Sequence, residues 1–193
     1  MLEHLVQLDR HLFHIINHDL TNPFFDWLMP LLRNPLLWIP LYICLLAFCV
    51  LKYKKQGVII IVLLALSAGV ADFTSASIFK YNVKRLRPCR DPVVSQTAII
   101  RIPCGTGFSF PSTHATDHFA VAAFLSFVFF RKWRWIWLWA FLWAGSISFA
   151  QVYVGVHFPV DVTVGMLYGI LIGWLFSLIL KKIQPNFQWL FGK

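Results

Sequence analysis

Five apolar stretches, at 36–51, 57–79, 114–130, 133–152 and 160–180, leave this chain few ways to fold. Each approaches the roughly 20 residues an α-helix needs to cross a hydrocarbon core, the first and third being somewhat short. In lipid every backbone N–H and C=O must find its partner within the segment, so such runs become helices. Only 13% of residues are charged and 59% are hydrophobic, against about 25% charged in soluble domains. These features predict an all-α integral membrane protein, a single domain over 1–193 with five or six transmembrane helices and the bundle at 36–182.

Residues 1–32 read differently. Leu5, Leu8, Leu12, Ile15 and Ile16 recur at helical spacing, with His4, His11, His14 and His18 among the polar positions. This predicts an amphipathic helix lying in the membrane interface, its histidines a solvated face rather than a metal patch. Thr21-Asn22-Pro23 ends it, and 24–32 is short enough to skim or re-enter the bilayer. No basic segment precedes a short apolar core, so no cleavable signal peptide is expected.

Basic turns set the orientation. Lys52, Lys54 and Lys55 follow the first span, Arg131, Lys132 and Arg134 join the third and fourth, and Lys181 and Lys182 end the fifth. These belong on the cytoplasmic side. The long polar loop at 81–113 then faces out, although it carries Lys84, Arg85, Arg87, Arg90 and Arg101. Cations held there against the charge bias imply a purpose, and an extracytoplasmic phosphate site would be one. The net charge of +9 points to anionic lipid or an anionic substrate. No aromatic RNA-binding motif or zinc finger points to nucleic acid. Cys89 and Cys104 share the loop, as a disulfide if it faces an oxidising compartment or otherwise as two free thiols.

Three polar clusters sit at the ends of apolar stretches, and the hairpin count brings all three to one membrane surface. Lys80 and Arg87 are seven apart, about 10.5 Å along a continuous helix. Pro88 pushes Arg87 out of helical geometry and lets it fold back, so a point charge and a bidentate fork can meet one phosphate. In Pro111-Ser112-Thr113-His114, proline in a first turn would leave the next amides at a helix N-terminus, an anion site or an ordinary cap. His157 and Asp161 flank Pro159, so a first-turn carboxylate can reach back to the imidazole and fix its tautomer. His114, Asp117 and His118 share a helix face, but no His-Glu-x-x-His pattern or soft ligand accompanies them. Asp117 and His118 are read as hydrogen-bonding partners within the polar end of the bundle.

Together, Lys80 with Arg87-Pro88, then Pro111-Ser112-x-His114, then His157-x-x-x-Asp161 resemble the type-2 phosphatidic acid phosphatase family over roughly 57–180. The resemblance implies a metal-independent lipid phosphatase without a cofactor. It gives His157 as nucleophile through a phosphohistidine, Asp161 as its orienting group and His114 as general acid. Lys80, Arg87, Ser112, Thr113 and position 151 would hold the phosphoryl oxygens. Two positions depart. Thr113 stands where the family usually has Gly, and Ala150-Gln151 replaces a Ser-Arg pair. Arg85, Arg90 or Arg101 could restore the lost charge. Otherwise the chain is a catalytically impaired lipid-phosphate binder or transporter. A third reading is phosphoryl transfer to an acceptor other than water. A chain this small most resembles bacterial inner-membrane members with the site facing the periplasm or exterior. Of their substrates it implies undecaprenyl pyrophosphate first, then phosphatidylglycerophosphate or lipid A.

Overall fold

The computed structural model describes residues 2–187, and among them the chain is helix and loop without a strand. Helix α1 (Leu2–His14) continues through a π-helical turn (Ile15–Asp19). There follow α2 (Pro23–Leu32), α3 (Pro35–Tyr53) and α4 (Lys55–Phe73), the last running through a second π-helical turn (Thr74–Phe79) into the short α5 (Lys80–Val83). After a long loop come α6 (Thr113–Phe129), α7 (Ile136–Tyr153) and α8 (Pro159–Ile183). Asn22 and Asn34 start α2 and α3 by accepting from the Phe25 and Leu36 amides, each with proline next in line. The fourth apolar stretch becomes helical only at Ile136, because Trp133 and Trp135 lie in the turn after α6.

Among the described residues, four helical segments are long and apolar enough to cross a membrane, those beginning at Pro35, Lys55, Ile136 and Pro159. At 17 residues α6 is shorter, yet it is the centre of the bundle, packed on α4, α7 and α8. Side-chain size explains that position. Ala115, Ala120, Ala122 and Ala123 are fully buried on α6. Gly165, Gly169 and Gly173 form the facing stripe of α8, where a Cβ would run into the carbonyls of Ser112, Thr116 and Ala120. Small residues four apart let two backbones touch, the usual means of close helix packing in lipid.

The N-terminal segment follows a different logic from its leucine pattern. Asp9, Phe13 and Asn17, also four apart, are the buried stripe of α1 and its π turn, while Leu5, Leu8 and Leu12 stay on the outer surface. Asn17 holds the long loop at both polar groups of Ile99 and also donates to the Tyr153 carbonyl.

The two ends of the bundle differ in charge and chemistry. Tyr53 meets Phe129 and Phe187, Lys132 lies over Tyr53, and Phe48 meets Trp133. These contacts gather the basic turns after α3 and α6 with the end of α8. The other end carries the loop from 84 to 112, in which Cys89 and Cys104 are bonded with Cα atoms 6.1 Å apart.

Gly169→Ala should lower stability by about 1–3 kcal/mol, because the added methyl must push α8 off α6. Gly145→Ala, which meets nothing within 4 Å, should be neutral or stabilising through helix propensity. Thermal melts in detergent would compare them, and equal midpoints would show that the close approach is not needed.

Candidate active site

A cavity of about 510 Å³ opens where α5, α6 and the α7–α8 loop converge. Lys80, Arg87, Thr113, His114, Asp117, Gln151 and His157 all line it, although they are spread over 78 positions from Lys80 to His157. Arg87 sits in extended backbone before Pro88, with φ −73° and ψ 155°. That folds its guanidinium back over His157, as the X-Pro restriction allows.

His157 is 2% exposed, and its two ring nitrogens have different surroundings. Nε2 lies 3.2 Å from Arg87 Nη1. A guanidinium only donates, so Nε2 is the acceptor and the proton sits on Nδ1. Nδ1 faces Ser109 Oγ at 3.3 Å and Asp161 Oδ2 at 3.6 Å. The Ser109 hydroxyl donates to Asp161 Oδ2, so the serine stands between imidazole and carboxylate. Burial pushes the imidazole down from 6.5 to about 4, with Asp161 pulling the other way. The ring is therefore neutral at pH 7, its Nε2 lone pair directed to the cavity side.

Asp161 itself is fully buried and does not line the cavity. Its Oδ2 also accepts from the Phe158 amide at 2.8 Å, and its Oδ1 takes Arg85 Nη1 at 2.7 Å. Arg85 Nη2 bonds Asp9, whose other oxygen accepts the Val160 amide at 2.8 Å. Arg85 is thus spent on two carboxylates and supplies no charge to the cavity.

Other expected phosphate ligands are also placed elsewhere. Ser112 is buried. Its amide donates to the Asp161 carbonyl and its Oγ caps α6 at the Ala115 amide, so Pro111 precedes the cap rather than starting the helix. Arg101 is held by Asp26, Thr21 and the carbonyls of Asn17 and Tyr153. Arg90 is exposed and donates to the Thr106 carbonyl. Thr113, by contrast, does line the cavity, and its hydroxyl accepts from Ser75. So does Gln151, 1% exposed, whose Nε2 has no partner.

Sequence reasoning missed Ser109, Asp9 and Arg33. Ser109 lies in an irregular loop with no periodic signal. Asp9 could have been noticed as an acid on one stripe with Phe13 and Asn17. Arg33, between α2 and α3, lines the cavity from just beyond the segment 24–32 read as membrane-skimming. Among the described residues, His14, His18 and Asp19 bring three possible metal-ligating atoms within 4.8 Å, but they are exposed and none lines the cavity.

The profile of the PAP2 superfamily matches residues 56–185. The chain is 33% identical over 191 residues to the lipid A 4'-phosphatase of Bacteroides thetaiotaomicron, covering 97% of this chain and 84% of that one. It is 26% identical over 159 residues to the lipid A 4'-phosphatase of Porphyromonas gingivalis, covering 80% and 65%. The crystal structure of a PAP2-type phosphatidylglycerolphosphate phosphatase from Bacillus subtilis has the same fold, with a TM-score of 0.71 at 18% identity over 95% of this chain and 89% of that one. Aquifex aeolicus LpxE gives 0.64 at 27% identity over 88% and 93%.

Nitrogen-15 NMR of labelled histidine should find His157 as the Nδ1–H tautomer, titrating near 4 rather than 6.5. Because the folded value is depressed, the stability gained by keeping this ring neutral is full above about 6.5 and is lost as pH falls toward 4. A midpoint at 6.5 would contradict the burial.

Proposed function

The chain belongs to the PAP2 superfamily, and on that premise we propose that it hydrolyses a phosphate monoester on a lipid headgroup, with a lipid A-type glycolipid as substrate. The observation that carries the reading is the neutral His157 Nε2 directed to a cavity that also holds Lys80, Arg87 and His114.

Entering phosphate oxygens give Arg87 a better acceptor than imidazole and free the Nε2 lone pair. Nε2 attacks phosphorus while the bond to the lipid oxygen breaks, and His114 protonates that oxygen. Asp161, through Ser109, supports the positive charge that develops on His157. Water, giving its proton to His114, then cleaves the P–N bond and releases orthophosphate. Lys80, Arg87 and the first-turn amides of α6, which lack intrahelical acceptors, hold the oxygens throughout.

Two features favour a sugar headgroup over a polyprenyl pyrophosphate. The cavity wall includes two carboxylates, Asp72 and Asp117. Their carboxyl oxygens would accept from the hydroxyl or amide N–H groups of a sugar. The two relatives from Bacteroides thetaiotaomicron and Porphyromonas gingivalis are lipid A 4'-phosphatases. An apolar cavity of about 400 Å³ between α3, α4 and α6 shares Asp117 and His118 with the site, which gives an acyl chain a place beside the headgroup. The opposite, basic end of the bundle supports an extracytoplasmic site.

Purified protein in detergent should release phosphate from lipid A faster than from undecaprenyl pyrophosphate or phosphatidylglycerophosphate. The reverse order would overturn the substrate. His157→Ala should reduce release to background, and acid quench of the wild type should trap a base-stable phosphohistidine. His114→Ala should slow lipid substrates far more than aryl phosphates, whose leaving groups need little protonation. Equal loss on both would remove His114 as the acid. The acid limb of kcat/KM, corrected for the substrate's own ionisation near 6, should follow His157 at about 4.

A further inference from the structure

Four arginines surround the site region, and three have their partners. Arg85 is clamped by Asp9 and Asp161, Arg101 by Asp26 and two carbonyls, and Arg87 by Gly107, Val156 and His157. The fourth, Arg33, is different. It lines the catalytic cavity, its Nε is buried without a partner, and among the described residues no side-chain hydrogen bond or ion pair reaches it. Arg33 is half-buried, and its buried Nε–H, cut off from water without an acceptor, carries a desolvation cost that an arriving anion would relieve. Gln151 repeats the pattern in the same cavity, an amide Nε2 buried and unsatisfied. Two orphaned donors facing one cavity with Lys80 and Arg87 describe an incomplete shell around an oxyanion.

We propose that Arg33 is a substrate-binding residue that donates, together with Gln151 Nε2, to the oxygens of the transferring phosphoryl group. The position is fixed by the tight α2–α3 turn. Asn34 caps α3 directly after Arg33, and Pro35 lines the same cavity. Arg33 lies outside the family-matched residues 56–185, so this cation enters from the N-terminal segment. Its charge acts on both Arg87 and His114.

The inference rests on the phosphatase reading, and transposing the charge tests it separately. On a soluble aryl monophosphate, Arg33→Gln should lower kcat/KM about 100-fold, the usual loss for one oxyanion contact. Gln151→Arg alone should also lower turnover, since a third guanidinium then joins Arg33 and Arg87 in one cavity. The double variant Arg33→Gln/Gln151→Arg should recover to within about tenfold of the wild type, a rescue that a merely structural arginine would not give. Arg33→Gln within about threefold of wild type, or a double variant no better than the single, overturns the proposal. A loss confined to bisphosphorylated lipid also overturns it, because Arg33 would then read a second phosphate. Should Arg33→Gln fail to fold, the sign of Gln151→Arg decides, and a rise overturns. Orthophosphate binding, followed by phosphorus-31 NMR, should weaken in Arg33→Gln. That readout stands even if the wild type hydrolyses nothing, an outcome that would sink the phosphatase reading instead.

Discussion

One buried carboxylate organises this molecule. Asp161, at the first turn of α8, accepts from Arg85, Ser109 and the Phe158 amide, and lies 3.6 Å from His157. An ionised carboxylate without water is tolerable only when its oxygens are filled and a counter-charge is close. The residues that fill them come from the long loop and the chain entering α8. Through Arg85 the network extends to Asp9 in α1 and back to the Val160 amide. Removing Arg85 would leave two buried carboxylates, Asp9 and Asp161, without their counter-charge, the kind of loss that costs several kcal/mol. The imidazole is placed by this network rather than by the carboxylate alone.

The helix framework and the position of the polar clusters could be read from the sequence because lipid imposes long apolar runs, and because ionisable residues at their ends stand out. Two proline-marked turns also gave local geometry correctly, the extended backbone at Arg87 and the start of α8 at Pro159, whereas Pro111 precedes the cap of α6. Partner choice among the arginines was not legible. Arg85, Arg90 and Arg101 look alike in sequence, and only folding shows that Arg85 and Arg101 are neutralised by acids from α1 and α2. The N-terminal amphipathic helix was legible, but the side it turns to the protein was not. Hydrophobic periodicity in a membrane protein can mark the face turned to lipid. Here the leucines are outside, and the face against the protein carries Asp9 and Asn17.

The cavity wall is chemically mixed. Its lining combines the cations Arg33, Lys80 and Arg87, the imidazoles of His114 and His157, and the carboxyls of Asp72 and Asp117, and an apolar cavity adjoins at Asp117 and His118. His118 donates Nδ1–H to the His114 carbonyl and packs on Trp143, so it links the polar and apolar compartments. Such a set of cationic, hydrogen-bonding and apolar surfaces suits an amphiphile whose headgroup and tail must both be held at the bilayer rim.

The clasp between Asp9 and the start of α8 bears on where this catalytic unit begins. The matched family region opens at residue 56, yet one wall of the cavity is contributed by Arg33 and Pro35, and the carboxylate network closes through Asp9. A boundary drawn by sequence similarity would sever both. The first helices act as a built-in brace, so shortened versions or grafts onto other scaffolds must carry them along.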